Sequence, residues 1–157
     1  MLGDNRNKTV VLGLGNPLMR DEGIGTVLIE KLSAIADKFP GVDFIDAGTG
    51  GMSILYLIEE RQKVIIIDCA YMNTAPGTIK KFRPDQAESV KKLAHQSLHE
   101  VDILKVIQLA TQLDNCPPDI IFFGIEPEKI EQGQSLTETI ASKMQTYIDT
   151  ITAELTH

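Results

Sequence analysis

The sequence predicts an α/β protein: one domain over residues 1–157, built as a single doubly wound, mostly parallel sheet flanked by helices on both faces. Two observations carry this. The runs TVVLGL (9–14), KVIIID (63–68) and DIIFFGI (119–125) are unbroken apolar stretches, as expected of strands buried on both sides rather than half-solvated ones. Between them lie segments whose apolar residues recur at helical spacing, and crossover connections between parallel strands need such helices.

Taken in order, Thr9 to Leu14 is the first strand, and the turn-rich GNPLMRDEG cannot continue it. A helix follows, with Ile24, Val27, Leu28, Leu32 and Ile35 as its stripe, Asp21 and Glu22 in its first turn and Pro40–Gly41 as its stop. Val42 to Ala47 reads as a second strand, GTGG as a glycine loop, Met52 to Glu60 as a short helix and Lys63 to Asp68 as the third strand. Gly77 to Arg83 is more polar and suits a short edge strand. Ser97 and Glu100 form a capping box before a helix carrying Ile103, Val106, Ile107 and Ala110, which puts His99 in its first turn. After Pro117–Pro118 comes the strand Asp119 to Ile125. Ser135 and Glu138 repeat the capping box ahead of a last helix with Leu136, Ile140, Met144, Tyr147, Ile148 and Ile151 on its apolar face.

Composition narrows the partners. With 43% hydrophobic and 24% charged residues the chain is neither disordered nor fibrous, and no apolar run approaches the ~20 residues of a membrane span. The balance of 15 basic against 22 acidic residues, −7 net, argues against a nucleic-acid partner, which requires a basic face. Two cysteines make no disulfide framework and MLGDNRNK has no apolar signal core, so a cytoplasmic location with no membrane contact is expected. Eight of the twelve glycines fall between Gly13 and Gly51, which marks the turns after the first two strands as the place where backbone comes close to something.

In such sheets ligands bind beyond the carboxyl ends of the strands. Glu22, Asp46, Asp68 and His99 all belong to that end, and Glu126 ends the last strand. Two carboxylates about 4 Å apart repel by roughly 4 kcal/mol at an effective dielectric of 20, so converging acids attract a proton or a cation. A helix N-terminus disfavours protonated histidine and keeps the metal-ligating neutral ring. One neutral imidazole with two carboxylates suits a borderline divalent ion such as nickel or zinc. Each residue also has an ordinary use: Glu22 as a helix-dipole partner, Asp46 as a loop cap, Asp68 as a strand-end turn residue, His99 as a solvated helix residue. Cys69 reads as a small buried residue, since no base is placed beside it. The turn GLGNPL imitates a dinucleotide fingerprint but has Leu18 where the third glycine belongs. It also imitates peptidyl-tRNA hydrolases, whose TRHN-like histidine segment is absent here.

GLGNPLMRDEGIG, DAGTGG, VIIIDCA and SLHEVDIL occur in this order and spacing, and with them the chain resembles the hydrogenase maturation proteases over most of its length. The resemblance implies a cytoplasmic endopeptidase that removes the C-terminal extension of a nickel-iron hydrogenase large-subunit precursor after nickel insertion. It implies metal contacts from Glu22, Asp68 and His99, with the nickel supplied by the precursor rather than held tightly by the protease. DAGTGG resembles the family's substrate-recognition loop, which makes Asp46 the candidate for a recognition or acid–base catalytic role. A non-catalytic metal- or nucleotide-binding assembly chaperone, or a peptidyl-tRNA hydrolase-like enzyme, is the alternative.

Overall fold

The computed structural model describes residues 6–87 and 98–156. Five strands, β1 (Thr9–Leu14), β2 (Val42–Gly48), β3 (Lys63–Cys69), β4 (Ile79–Phe82) and β5 (Asp119–Ile125), form one sheet in the order β2-β1-β3-β5-β4. β2, β1, β3 and β5 are parallel, whereas β4 is an antiparallel edge strand on β5. The runs predicted to be buried on both faces are the three central strands. Alternate residues of β3 feed two cores: Val64 and Ile66 join one, while Ile65, Ile67 and Cys69 join the other.

Helices cover both faces. α1 (Ile24–Ser33) and α5 (Met144–Leu155) place Leu28, Ile29, Leu32, Tyr147 and Ile151 on the face of Ile65 and Ile67. α2 (Ser53–Ile58) and α3 (Leu98–Gln112) place Ile54, Ile58, Ile103, Val106 and Ala110 on the face of Val64 and Ile66. The chain leaves β1 toward one face, by way of α1, and later covers the other with α3. The strand order runs outward in both directions from β1 and β3, so the topological switch point lies between their carboxyl ends, where this class of sheet opens a crevice.

Several boundaries differ from expectation, each for a tertiary reason. α1 ends at Ser33, well before Pro40, and a 3-10 turn at Ala36–Lys38 fills the gap. α2 is confined to Ser53–Ile58. Asp21 and Glu22 lie not in the first turn of α1 but in a separate 3-10 turn, Arg20–Gly23. The capping box of Ser135 and Glu138 does not form. Thr137 is the N-cap of a one-turn helix α4 (Glu138–Ala141), which breaks before α5, and its hydroxyl and N–H are donated to Asp21 instead. Ser97 and His95 lie outside the described residues, as does the box that Ser97 would form.

The amino end of the sheet is tied by charge. Glu154 on α5 accepts from Lys63 at 2.8 Å and Lys81 at 2.6 Å, while Asp119 accepts from Arg83 at 2.7 Å. Burial alone would push the Glu154 carboxyl up, but its hydrogen bonds from Lys63 and Lys81 outweigh that and hold it below the ordinary carboxylate range.

Candidate active site

Four acids gather at the carboxyl end of β1, β3 and β5, and their hydrogen bonds divide them. Asp21 is 1% exposed and Glu126 6% exposed. Asp21 accepts backbone N–H groups from Glu128 (2.9 Å), Lys129 (3.0 Å) and Thr137 (2.8 Å), as well as the Thr137 hydroxyl. Glu126 accepts the N–H of Met72 (2.6 Å) and both the N–H and hydroxyl of Thr74, and so fastens the segment that follows β3. Both are occupied holding loops. Neither was singled out by sequence reasoning beyond its position, and no local signal could have done so, because their donors lie 52 to 116 residues away.

Glu22 and Asp68 are placed differently. Asp68 is fully buried, one position beyond the last β1–β3 pair, Gly13 with Ile67, and opposite Gly124 of β5. By alternation it shares the face of Val64 and Ile66, the face covered by α3. Glu22 is half-buried in the 3-10 turn that packs against β3, and that turn is seated by glycines. A Cβ at Gly15 would lie 2.0 Å from the Glu22 carbonyl oxygen, and one at Gly23 would lie 2.6 Å from the Pro17 Cα. Glu22 and Asp68 therefore stand on the turn after β1 and at the end of β3, on either side of the switch point. His99 occupies the first turn of α3, as expected; its side chain lies outside the described residues. Among the described residues, no group of three or more His, Cys, Asp and Glu side chains is arranged to hold a metal ion.

Asp46 does not join them. It alternates with Phe44, on the α1 face of β2 and so on the opposite side of the sheet from Asp68. It is exposed, and its Oδ1 accepts the Gly48 N–H at 3.0 Å and the Thr26 hydroxyl of α1 at 3.3 Å. The rim thus carries Glu22 and Asp68 at the ends of the neighbouring strands β1 and β3 and sets Asp46 at the base of the glycine loop after β2. In that loop Gly48 and Gly51 have positive φ and open space where a Cβ would be. Two uses are separated here: a Cβ at Gly13, Gly15, Gly23 or Gly25 would strike neighbouring backbone, whereas Gly48 and Gly51 border open space in the loop after β2.

One further side chain belongs here. Tyr71, half-buried after β3, has its phenol pushed up first by burial and then by the negative charges of Cys69, Glu126, Glu22 and Asp21. It stays protonated at neutral pH and offers an O–H donor beside the acids. Cys69 itself is 3% exposed and packs in the core on the α1 face, as its sequence context implies.

A doubly wound, mostly parallel sheet with acids gathered at the carboxyl ends of its central strands defines the class of this α/β protein. The chain belongs to the hydrogenase maturation protease family, whose profile matches residues 26–154, taking in Asp46, Asp68 and His99 but not Glu22. It is a peptidase. Among similar proteins, the hydrogenase expression/formation protein HupD of Bradyrhizobium diazoefficiens is 30% identical, over 91% of this chain and 75% of its own. The hydrogenase 2 maturation protease of Escherichia coli is 28% identical, over 94% and 90% of the two chains. The solved structure of the Escherichia coli hydrogenase maturating endopeptidase HybD matches with a TM-score of 0.83 at 27% identity, over 94% of this chain and 91% of that one. The family assignment decides for a peptidase over the non-catalytic chaperone and the peptidyl-tRNA hydrolase-like enzyme.

Proposed function

We propose that this peptidase removes the C-terminal extension of a nickel-iron hydrogenase large-subunit precursor, in the cytoplasm, and that it reads the nickel already held by the precursor through Glu22, Asp68 and His99. The observation that carries the reading is the placement of Glu22 on the turn after β1 and of Asp68 at the end of β3, one half-buried and one fully buried, on either side of the topological switch point. Carboxylates shut away from water favour an arriving cation, because it relieves both their repulsion and the cost of their burial. A divalent ion presented on the precursor would draw its peptide to the rim and align it, so that metal-free precursor loses both binding and orientation. Leu18 and Met52, on the loops after β1 and β2, are 56% and 59% exposed, and large apolar side chains left in water beside a site suit a protein substrate. The described helices include none long and apolar enough to cross a membrane.

The test is cleavage of purified precursor followed by the mobility shift of the large subunit. Nickel-loaded precursor is shortened, and nickel-free precursor stays intact at the same protease concentration. Equal cleavage of both would overturn the role given to nickel, and no cleavage of either would overturn the substrate.

Asp46 receives a supporting part in this reaction: it holds the open glycine loop through Gly48 and Thr26. Asp46→Asn retains one carbonyl acceptor for those donors and is expected to cleave within about threefold of wild type, whereas Asp46→Ala frees the loop and raises KM about tenfold. Lost turnover in Asp46→Asn with precursor binding intact would instead make Asp46 the acid–base group.

A further inference from the structure

We propose that Asp21 is a positioning residue for Glu22, holding the turn that carries it against the loop after β5; this rests on the reading above that Glu22 meets the precursor's metal. The 3-10 turn Arg20–Gly23 begins on a residue outside helical geometry. Arg20 has φ of 50°, in the left-handed region that a non-glycine residue adopts only when its surroundings enforce it. The enforcing contacts all come from residues 128–137. Gly133 donates its N–H to the Leu18 carbonyl at 2.8 Å and accepts the Arg20 N–H at 2.9 Å, and the Arg20 Nε donates to the Ser135 carbonyl at 3.0 Å. At the centre, the Asp21 carboxylate gathers three backbone N–H groups and one hydroxyl from the same loop, while the Asp21 N–H donates to the Lys129 carbonyl. The next residue in the chain is Glu22. Its carbonyl rests where a Cβ of Gly15 would be, so the turn is gripped from one side by the end of β1 and from the other by Asp21.

A carboxylate is required for this grip, since only an acceptor at both oxygens satisfies donors that arrive on both. In Asp21→Asn one oxygen becomes an NH₂ facing N–H groups that it cannot accept, and the loop and turn separate. Thr137→Val removes only the hydroxyl and keeps the shape of the side chain, so it serves as the milder variant. Glu154→Ala weakens the protein at the opposite end of the sheet and controls for stability alone.

With nickel-loaded precursor, Asp21→Asn is expected to lower kcat about 10- to 100-fold with KM changed less than about threefold, and Thr137→Val to lower kcat about threefold. Glu154→Ala, compared at the same fraction folded, keeps the wild-type kcat. Backbone amide exchange is the readout independent of turnover: the amides of Glu22 and Gly23 exchange faster in Asp21→Asn and Thr137→Val than in Glu154→Ala. Equal kcat and equal exchange across the three variants overturns the proposal. If wild type leaves the loaded precursor uncut, the parent reaction falls, and the exchange at Glu22 still decides whether Asp21 holds the turn.

Discussion

Glu22→Gln and Asp68→Asn each abolish release of the C-terminal extension, lowering single-turnover cleavage of nickel-loaded precursor by at least about 100-fold while the protein stays folded. Both changes keep the side chain's size and one carbonyl acceptor, and remove the negative charge. At Asp68 the side chain is fully buried at the end of β3, opposite Gly124 of β5, so what is lost is not a surface interaction. At Glu22 the charge stands on a turn that glycines and Asp21 fix in place. His99→Ala, in the first turn of α3, is expected to show the same loss. The contrast lies with the other two acids of the rim. Asp21→Asn and Glu126→Gln leave buried N–H groups without acceptors, costing about 1–3 kcal/mol of stability for each group stranded. Asp21→Asn also slows cleavage, through Glu22, so thermal melts read beside the cleavage assays are what sort the loop anchors from the metal contacts. Normal cleavage by Glu22→Gln or Asp68→Asn would show that the residue concerned does not meet the metal.

That sorting marks where the sequence stops being informative. β1 and β5 were legible to the residue and β3 to within one, because a strand buried on both faces must be apolar throughout, and nothing distant changes that requirement. Asp68 and Glu22 were legible as candidates because both follow such strands. Asp21 and Glu22 are adjacent, of like charge and alike in local context, yet Asp21 is buried as a structural anchor and Glu22 is only half-buried; the anchor is made by a loop more than a hundred residues away. The same contact explains the lost capping box. Ser135 and Glu138 have the right spacing, but Asp21 competes for the hydroxyl and N–H of Thr137 and moves the cap. Convergence of Asp46 with the other acids failed on the pleat: the carboxyl ends of β2 and β3 share a rim, but the side chains at 46 and 68 leave on opposite faces.

The glycines yield the largest expected effect on stability. Gly25→Ala lowers the melting temperature by about 6–12 °C, corresponding to about 3 kcal/mol for a domain of this size. In an exposed helix this substitution would stabilise by about 1 kcal/mol, since alanine is the better helix former. Here the added Cβ would stand 2.2 Å from the Leu14 carbonyl oxygen, 2.8 Å from the Leu14 nitrogen and 3.0 Å from the Ile67 carbonyl oxygen. All three are backbone atoms of β1 and β3, and none can rotate away as a side chain would, so α1 must lift from the sheet and surrender the packing of Leu28 and Leu32. Gly41→Ala is the control: it has nothing within 4 Å and no left-handed φ, and it melts at or slightly above the wild-type temperature. A Gly25→Ala melt within about 2 °C of wild type would refute the packing argument. Because Gly25 lies three residues after Glu22, lifting α1 also draws the Arg20–Gly23 turn from the crevice. Cleavage by Gly25→Ala should therefore fall further than its folded fraction does, whereas Gly41→Ala cleaves normally.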